Sequence, residues 1–160
     1  MKVICSYCRR NCGEKEPLED QRISHGMCNA CYKRFTRQLN GVSLSEYLNE
    51  IDAPVLIVNR DGRNVAINRR AKARLGRTDS EVTGLLGGEV MECDFARLPE
   101  GCGKTVHCET CTIRRTVMHT LESGQELKHQ PVTLRRNGRE INMTISTQKI
   151  DDMVRIVIEE

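Results

Sequence analysis

The chain has 160 residues, of which 38% are hydrophobic and only 3% aromatic, so a folded core must be small and mainly aliphatic. Its net charge of +3 is too low for the broad basic surface of a dedicated nucleic-acid-binding protein. The longest strongly apolar run, Pro54–Val58, is far shorter than the roughly 18 residues that a membrane-spanning helix needs. The N-terminus carries no apolar signal segment, so we expect a soluble, cytoplasmic protein that does not contact a membrane.

Nine cysteines divide the chain, with five in residues 5–31 and four in residues 93–111. In a reducing compartment, clustered cysteines are typical of metal sites or redox centres rather than of a disulfide framework. The first 40 residues also carry the basic excess, with eight Lys or Arg against four Asp or Glu. Thiolates bound to a metal there would offset much of that positive charge.

The first cysteine group contains two C-x-x-C pairs, Cys5/Cys8 and Cys28/Cys31, separated by 19 residues. Two residues between thiolates let one tight turn direct both sulfurs at one ion, and two such turns complete a tetrahedron. A segment this short buries too little surface to fold alone, so a bound metal would supply the missing stability. We therefore predict a structural zinc site in residues 1–40, with a redox pair or an iron–sulfur site as the alternatives.

Cys12 and His25 lie near these pairs but are predicted not to bind the metal. Cys12 breaks the paired spacing and is left as a spare reactive thiol, whereas His25 precedes Gly26 in a predicted turn. The stretch Tyr32–Arg37 is predicted to be a short helix with a solvated basic face, because the charge excess is too small for a phosphate-binding track. A nucleic-acid-binding zinc ribbon stays as an alternative.

Three segments of this region, Ile4–Cys8, Leu18–Asp20 and Ile23–Tyr32, resemble a zinc-ribbon-like module. Modules of this kind accompany bacterial sensor kinases and response-regulator-linked proteins, often near PAS domains. The resemblance covers residues 3–35 and departs from the usual pattern at Asn29, where proline is common. It implies a small metal-stabilised module next to a sensor domain.

Ser43 and Glu46 have the spacing of a capping box, and apolar residues follow on one helical face. The residues on that face are Leu44, Tyr47, Leu48 and Ile51. Residues 41–53 are therefore predicted to form an amphipathic linker helix that ends before Pro54. Its apolar face must pack on the following domain or on another chain.

The remainder, residues 54–160, is predicted to be one α+β domain with an antiparallel sheet and helices on one face. Strand patterns fall at 55–58, 65–67, 132–134, 141–145 and 154–158, with hairpin signals at Asp61-Gly62 and Asn137-Gly138. One helix is predicted from the cap Asn68 to Gly76, and a second from the cap Thr112 to Gly124.

This order of elements, with Asn59–Gly62 in the first turn, Ile67–Ala71 entering a helix, and Gly76 and Gly84 after it, resembles a PAS domain over residues 43–160. The resemblance implies a five-stranded sheet that faces helices across a ligand or cofactor pocket. It also implies a sensory role and frequent dimerisation through the helix that precedes the first strand.

The second cysteine group comprises Cys93, Cys102, Cys108 and Cys111, in an irregular stretch rich in glycine. Four sulfurs indicate zinc or an iron–sulfur cluster, with a metal-free thiol switch as the third alternative. The last two cysteines precede a predicted helix, whose N-terminal N–H groups and dipole stabilise thiolates. The segment 93–111 resembles a cysteine-rich insert of some bacterial PAS sensors. The neighbouring histidine at position 107 is expected to be an ordinary loop residue.

We find no catalytic constellation in the sequence and expect a protein that is not an enzyme. The pattern favours a metal-containing PAS-type sensor of redox state, a gas or a small ligand. It is expected to act as a homodimer, through protein–protein contacts with a signalling partner or a C-terminal output domain. A nucleic-acid-binding regulator and a purely structural zinc-stabilised scaffold are the alternatives.

Overall fold

The computed structural model describes residues 1–19, 21–38 and 43–159, so Asp20, the start of the 41–53 linker and the last residue of the 54–160 domain lie outside it. The elements in chain order are β1 Lys2–Cys5, β2 Asn11–Glu14, β3 Ile23–Gly26, α1 Asn29–Gln38, α2 Leu44–Asn49, β4 Val55–Val58, β5 Asn64–Ile67, α3 Arg69–Leu75, α4 Asp79–Val82, α5 Gly87–Val90, α6 Thr112–Ser123, β6 Leu127–Arg136, β7 Arg139–Ile150 and β8 Met153–Glu159. Two short 3-10 helices, Asp94–Arg97 and Val106–Thr110, lie between α5 and α6.

The larger sheet has five strands in the order β5-β4-β8-β7-β6, and every neighbouring pair is antiparallel. Its β6–β7 turn places Asn137 and Gly138 in the left-handed region, with φ of 52° and 72°. Paired left-handed residues form a turn whose twist matches that of the flanking strands, which is why Asn-Gly favours it. The predicted five-stranded antiparallel sheet is therefore confirmed.

Strand β4 is buried along its whole length because both faces of the sheet are covered at this point. Alternate side chains of a strand point to opposite faces. Leu56 and Val58 belong to the core shared with α3, α4, α5 and α6. This arrangement confirms the prediction of helices laid over one face of the sheet.

The other face of β4 is covered by α2 and by the N-terminal segment. Val55 and Ile57 form a second apolar cluster with Cys5, Cys31 and Leu48, the last only 1% exposed. The capping box that Ser43 and Glu46 predict is present at the start of α2. The predicted apolar face of α2 thus packs on the sheet of its own chain.

Two local predictions need correction. Helix α6 begins at Thr112, but its N-cap is Cys111, because the hydroxyl of Thr112 instead accepts the N–H of Thr133 at 2.9 Å. Strand β6 begins at Leu127, well before Pro131. Proline is tolerated inside this strand because β6 is the edge strand of the sheet, and among the described residues β7 is the strand that pairs with it.

None of the helices in the described ranges has both the length and the apolar character that crossing a membrane requires.

Asn68 joins three elements through one buried amide, which is 2% exposed. Its Oδ1 accepts the N–H groups of Val55 at 3.0 Å and Ala71 at 2.9 Å. Its Nδ2 donates to the carbonyl oxygens of Leu48 at 3.0 Å and Ala53 at 2.8 Å. The side chain therefore caps α3 and at the same time fixes the end of α2 against the start of β4.

We expect Asn68→Ala to lower the free energy of unfolding by about 2–4 kcal/mol, because several buried backbone groups lose their partner. Asn142→Ala is the matched control, since Asn142 is exposed and its Oδ1 accepts a single bond from Thr133. It should change the free energy by less than about 0.5 kcal/mol. Chemical denaturation measures both, and equal effects would contradict the role assigned to Asn68.

Candidate metal centres

The first four cysteines come together at one point. Cys5 ends β1, Cys8 lies in the turn after it, Cys28 precedes α1 and Cys31 lies in the first turn of that helix. Their four Sγ atoms lie within 4.8 Å of one another, and the Cys8 and Cys28 sulfurs are 3.8 Å apart. Four thiolates about 2.3 Å from one zinc ion lie roughly 3.8 Å apart, so this group can hold a metal ion.

Hydrogen bonds stabilise two of these sulfurs as thiolates. The N–H of Cys31 donates to the Cys28 sulfur at 3.5 Å and lowers the pKa of Cys28. Burial would raise the pKa of Cys5, but N–H groups including that of Cys28, at 3.3 Å, outweigh it and the pKa is lowered. Burial, with the neighbouring thiols, raises the pKa of Cys31. A metal ion that replaces its proton would remove this obstacle to ionisation.

The two expected bystanders lie near this group. Cys12 is exposed on β2, and its thiol donates weakly to the carbonyl of Arg10 at 3.5 Å. Desolvation and the charges of the neighbouring thiolates raise the pKa of Cys12, which favours the neutral thiol. His25 contributes its backbone to β3, and its side chain lies outside the described part of the structure.

The second four cysteines line one cavity of about 100 Å³ instead of meeting at a point. The cavity lies between the sheet, where Val58 and Ile156 form its wall, and α6, where Val117 does. The thiols around it are those of Cys93, Cys102, Cys108 and Cys111. Among the described residues, only the first group brings three or more such ligands within 4.8 Å of one another, so no three of the second four sulfurs lie that close together.

Hydrogen-bond donors surround the sulfur of Cys108, and Cys111 lies at the start of α6. Cys108 accepts the N–H of Gly103 and faces the Thr105 hydroxyl, both at 3.1 Å. Burial would raise the pKa of Cys108, but these donors outweigh it and the pKa is lowered. Cys111 caps α6 through the N–H of Arg114 at 3.5 Å, which confirms a cysteine at the start of this helix.

Cys102 is held against the backbone of α5. Burial raises the pKa of Cys102, and the other three cysteines of the cavity add to this effect. A Cβ atom added to Gly88 would lie 2.7 Å from the Cys102 sulfur, closer than atoms normally approach. Because Gly88 has no side chain, the thiol of Cys102 can lie against α5 at the edge of the cavity. The sequence alone did not predict this role for Gly88.

His107 and Asp94 also have partners that sequence reasoning missed. The His107 ring stacks on Phe95 with centroids 4.0 Å apart, and both residues line the cavity. Asp94 accepts the N–H groups of Asn137 and Gly138, each at 2.8 Å. The two bonds of Asp94 fasten the cysteine insert to the β6–β7 turn. Because these two bonds join residues more than 40 positions apart, no local pattern predicts them.

We expect Gly88→Ala to displace Cys102, because the new methyl carbon would lie only 2.7 Å from its sulfur. Alkylation of Cys102 by iodoacetamide should accelerate, and the protein should lose about 1–3 kcal/mol of stability. Gly87→Ala is the matched control, since a Cβ there meets nothing within 4 Å. Peptide mapping by mass spectrometry measures the alkylation, and equal rates in the two variants would contradict this packing role.

The contact between Asp94 and the turn predicts a pH-dependent stability. The N–H of Gly138 lowers the pKa of Asp94, so the carboxylate stabilises the fold above its unfolded pKa of about 3.9. That contribution is lost as the pH falls through the lower folded-state pKa.

Asp94→Asn should therefore lower the melting temperature at pH 7, and the difference from the parent should shrink as the pH approaches 3. Asp52→Asn is the control, because Asp52 is an exposed carboxylate paired with Arg70. Calorimetry at both pH values tests this, and a difference that persists unchanged in acid would contradict it.

No protein-family model matches the chain, and no curated protein matches it. Solved structures do match. The Photoactive Yellow Protein domain of the sensor histidine kinase Ppr from Rhodospirillum centenum aligns with 78% of this chain and 98% of its own, at 15% identity and a TM-score of 0.50. The Rhodobacter sphaeroides LOV protein aligns with 80% of this chain and 67% of its own, at 12% identity and a TM-score of 0.53.

A third match is the PAS domain of nitrogen regulation protein NR(II) from Vibrio parahaemolyticus. It covers 74% of this chain and 99% of its own, with 16% identity and a TM-score of 0.50. At these identities the likeness concerns the fold alone, and it agrees with the strand order described above. The chain therefore has a PAS-like fold, with four cysteines gathered in its N-terminal region.

Proposed function

We propose that this chain is a non-enzymatic, metal-containing PAS-type sensory module whose second cysteine group holds the sensing centre. The observation that carries the proposal is that all four thiols of the insert line the cavity between the helices and the sheet. Of the similar structures, one is a domain of a sensor histidine kinase, which supports a sensory role for this fold. The signal would be redox state, a gas or a small ligand.

The spacing of the sulfurs favours different occupants at the two centres. In the first group, the 3.8 Å between the Cys8 and Cys28 sulfurs supports a single zinc ion, because zinc-bound thiolates have about this spacing. The second group lines a cavity, and no three of its sulfurs lie within 4.8 Å of one another, which favours a cluster of several iron and sulfide ions over one ion. We propose zinc at the first centre and an iron–sulfur cluster at the second, with zinc at the second as the alternative.

Helix α6 would carry the state of the second centre to the sheet. When bound, the cluster supplies a one-electron redox couple. The chain's own residues would transmit the change in the cluster to the sheet. Cys111 caps the helix, so a change in the position of its sulfur changes the first turn of α6. Further along, the hydroxyls of Thr120 and Thr147 are 2.7 Å apart, and Lys149 donates to the Leu121 carbonyl at 2.8 Å. A shift of α6 is therefore passed to β7.

The signal would pass to other proteins through protein–protein contacts. The proposed arrangement is a homodimer that contacts a signalling partner or a C-terminal output domain. Since the buried side of α2 already packs on its own sheet, a partner would use the remaining surface of that helix.

The alternative of nucleic-acid binding is less favoured, because Arg34 on basic α1 pairs with Asp151 at 2.9 Å. Its guanidinium also lies over the Tyr7 ring, 4.7 Å from the ring centre.

Metal analysis of anaerobically purified protein tests the occupants. We expect one zinc per chain together with iron and acid-labile sulfide, and a brown colour. Cys28→Ser should lose the zinc and keep iron, and Cys102→Ser should lose the iron and keep zinc. Cys12→Ser is the matched control and should keep both. Two zinc ions with no iron would favour the structural scaffold, and protein without any metal would refute the proposal.

The signalling role is tested by the oligomeric state before and after exposure to oxygen or nitric oxide, measured by size-exclusion chromatography with light scattering. We expect the parent protein to change its state and Cys108→Ser not to respond, because Cys108 is one of the ligands next to α6. Cys12→Ser should respond like the parent. An unchanged response in Cys108→Ser would contradict the mechanism.

A further inference from the structure

The two cysteine groups lie on opposite sides of strand β4. On one face of the strand, Val55 and Ile57 belong to the apolar cluster that contains Cys5 and Cys31. On the other face, Val58 lines the cavity of the second cysteine group. One strand therefore contributes side chains both to the cluster around the first group and to the wall of the second cavity.

The β4–β5 turn makes the same connection through polar contacts. Asn59 is 1% exposed, and its Nδ2 donates at 3.3 Å to the carbonyl of Ser6, which lies between Cys5 and Cys8 in sequence. Its Oδ1 accepts the N–H groups of Asp61 and Arg63, each at 3.0 Å. The buried amide therefore ties the shape of the turn to the loop that presents the first two thiols.

The same turn also contacts the residue that follows Cys8 and lines the second cavity. Asp61 forms an ion pair with Arg9, the residue after Cys8, at 2.5 Å. The next residue, Gly62, lines the cavity of the second group. An exposed ion pair of this kind contributes little stability alone, but here it adds to the buried bond of Asn59 at the same turn.

We propose that the first centre is an effector site for the second. Metal bound by Cys5, Cys8, Cys28 and Cys31 fixes β4 and the turn 59–63, and this sets how tightly the cavity thiols are held and how accessible they are. The inference rests on the proposed function for the occupancy of the first centre. Because linkage is reciprocal, the state of the second centre must also change the metal affinity of the first.

The first test measures alkylation of the four cavity thiols by iodoacetamide, with peptide mapping, in anaerobic protein treated to remove iron. We expect Cys28→Ser, which disables the first centre, to accelerate alkylation at least roughly fivefold, the lower end of usual allosteric coupling. Asn59→Ala removes the buried link, so in its background Cys28→Ser should have much less effect. Arg60→Ala is the matched control, because Arg60 is in the same turn but pairs with Asp152.

Equal alkylation rates in the parent and Cys28→Ser would overturn the proposal, as would an undiminished effect in the Asn59→Ala background. If Asn59→Ala does not fold, Arg9→Ala takes its place, since it removes the other contact with the turn. Circular dichroism of every variant shows whether the sheet is intact.

The reciprocal test measures zinc release from the first centre to a chromogenic chelator. Cys102→Ala, which disables the second centre, should change the release rate, and the same rate as in the parent would overturn the linkage. These readouts are separate from the proposed function. If the second centre held no iron, that proposal would fail, but the alkylation rates would still decide whether the two cysteine groups are linked.

Discussion

The packing of cysteine-rich segments against both faces of β4 is the constraint on which the rest of the structure depends. Helices α3, α4, α5 and α6 pack their aliphatic side chains on one face of the five-stranded sheet. The apolar face formed by Val55 and Ile57 would cost roughly 25 cal/mol for each Å² left in water. Helix α2 and the buried thiols of Cys5 and Cys31 cover it instead. The N-terminal segment and the sheet thus stabilise each other, and metal ligation would strengthen both.

Local sequence signals predicted the main turns and helix caps of the fold. Asn137-Gly138 forms its turn because two adjacent left-handed residues suit a two-residue hairpin, and Asn68 caps α3 because its side chain replaces a missing backbone partner. The start of α6 was misplaced by one residue for a physical reason. Sulfur is a weak acceptor and is not among the usual capping residues, so Thr112 was the better candidate until the structure showed its hydroxyl bound to Thr133.

The two cysteine groups differed in how much their spacing could predict. The four sulfurs of the first group need only two tight turns to meet, so the C-x-x-C spacing was enough to predict that they come together. The structure brings all four together. The second depends on Gly88, on the Asp94 contact with the β6–β7 turn and on the stacking of His107 with Phe95. These contacts arise from the tertiary fold, so the sequence could name the four thiols but not the cavity that they line.

If cysteine centres on both sides hold β4 in place, the hydrogen exchange of that strand should depend on the metals. Reduced, anaerobic protein would be compared as isolated and after exhaustive chelation, with the peptide that contains Val55–Val58 followed by mass spectrometry. We expect these amides to lose protection when the metals are removed, because both walls against the strand loosen. Unchanged protection of β4 in chelated protein would contradict it.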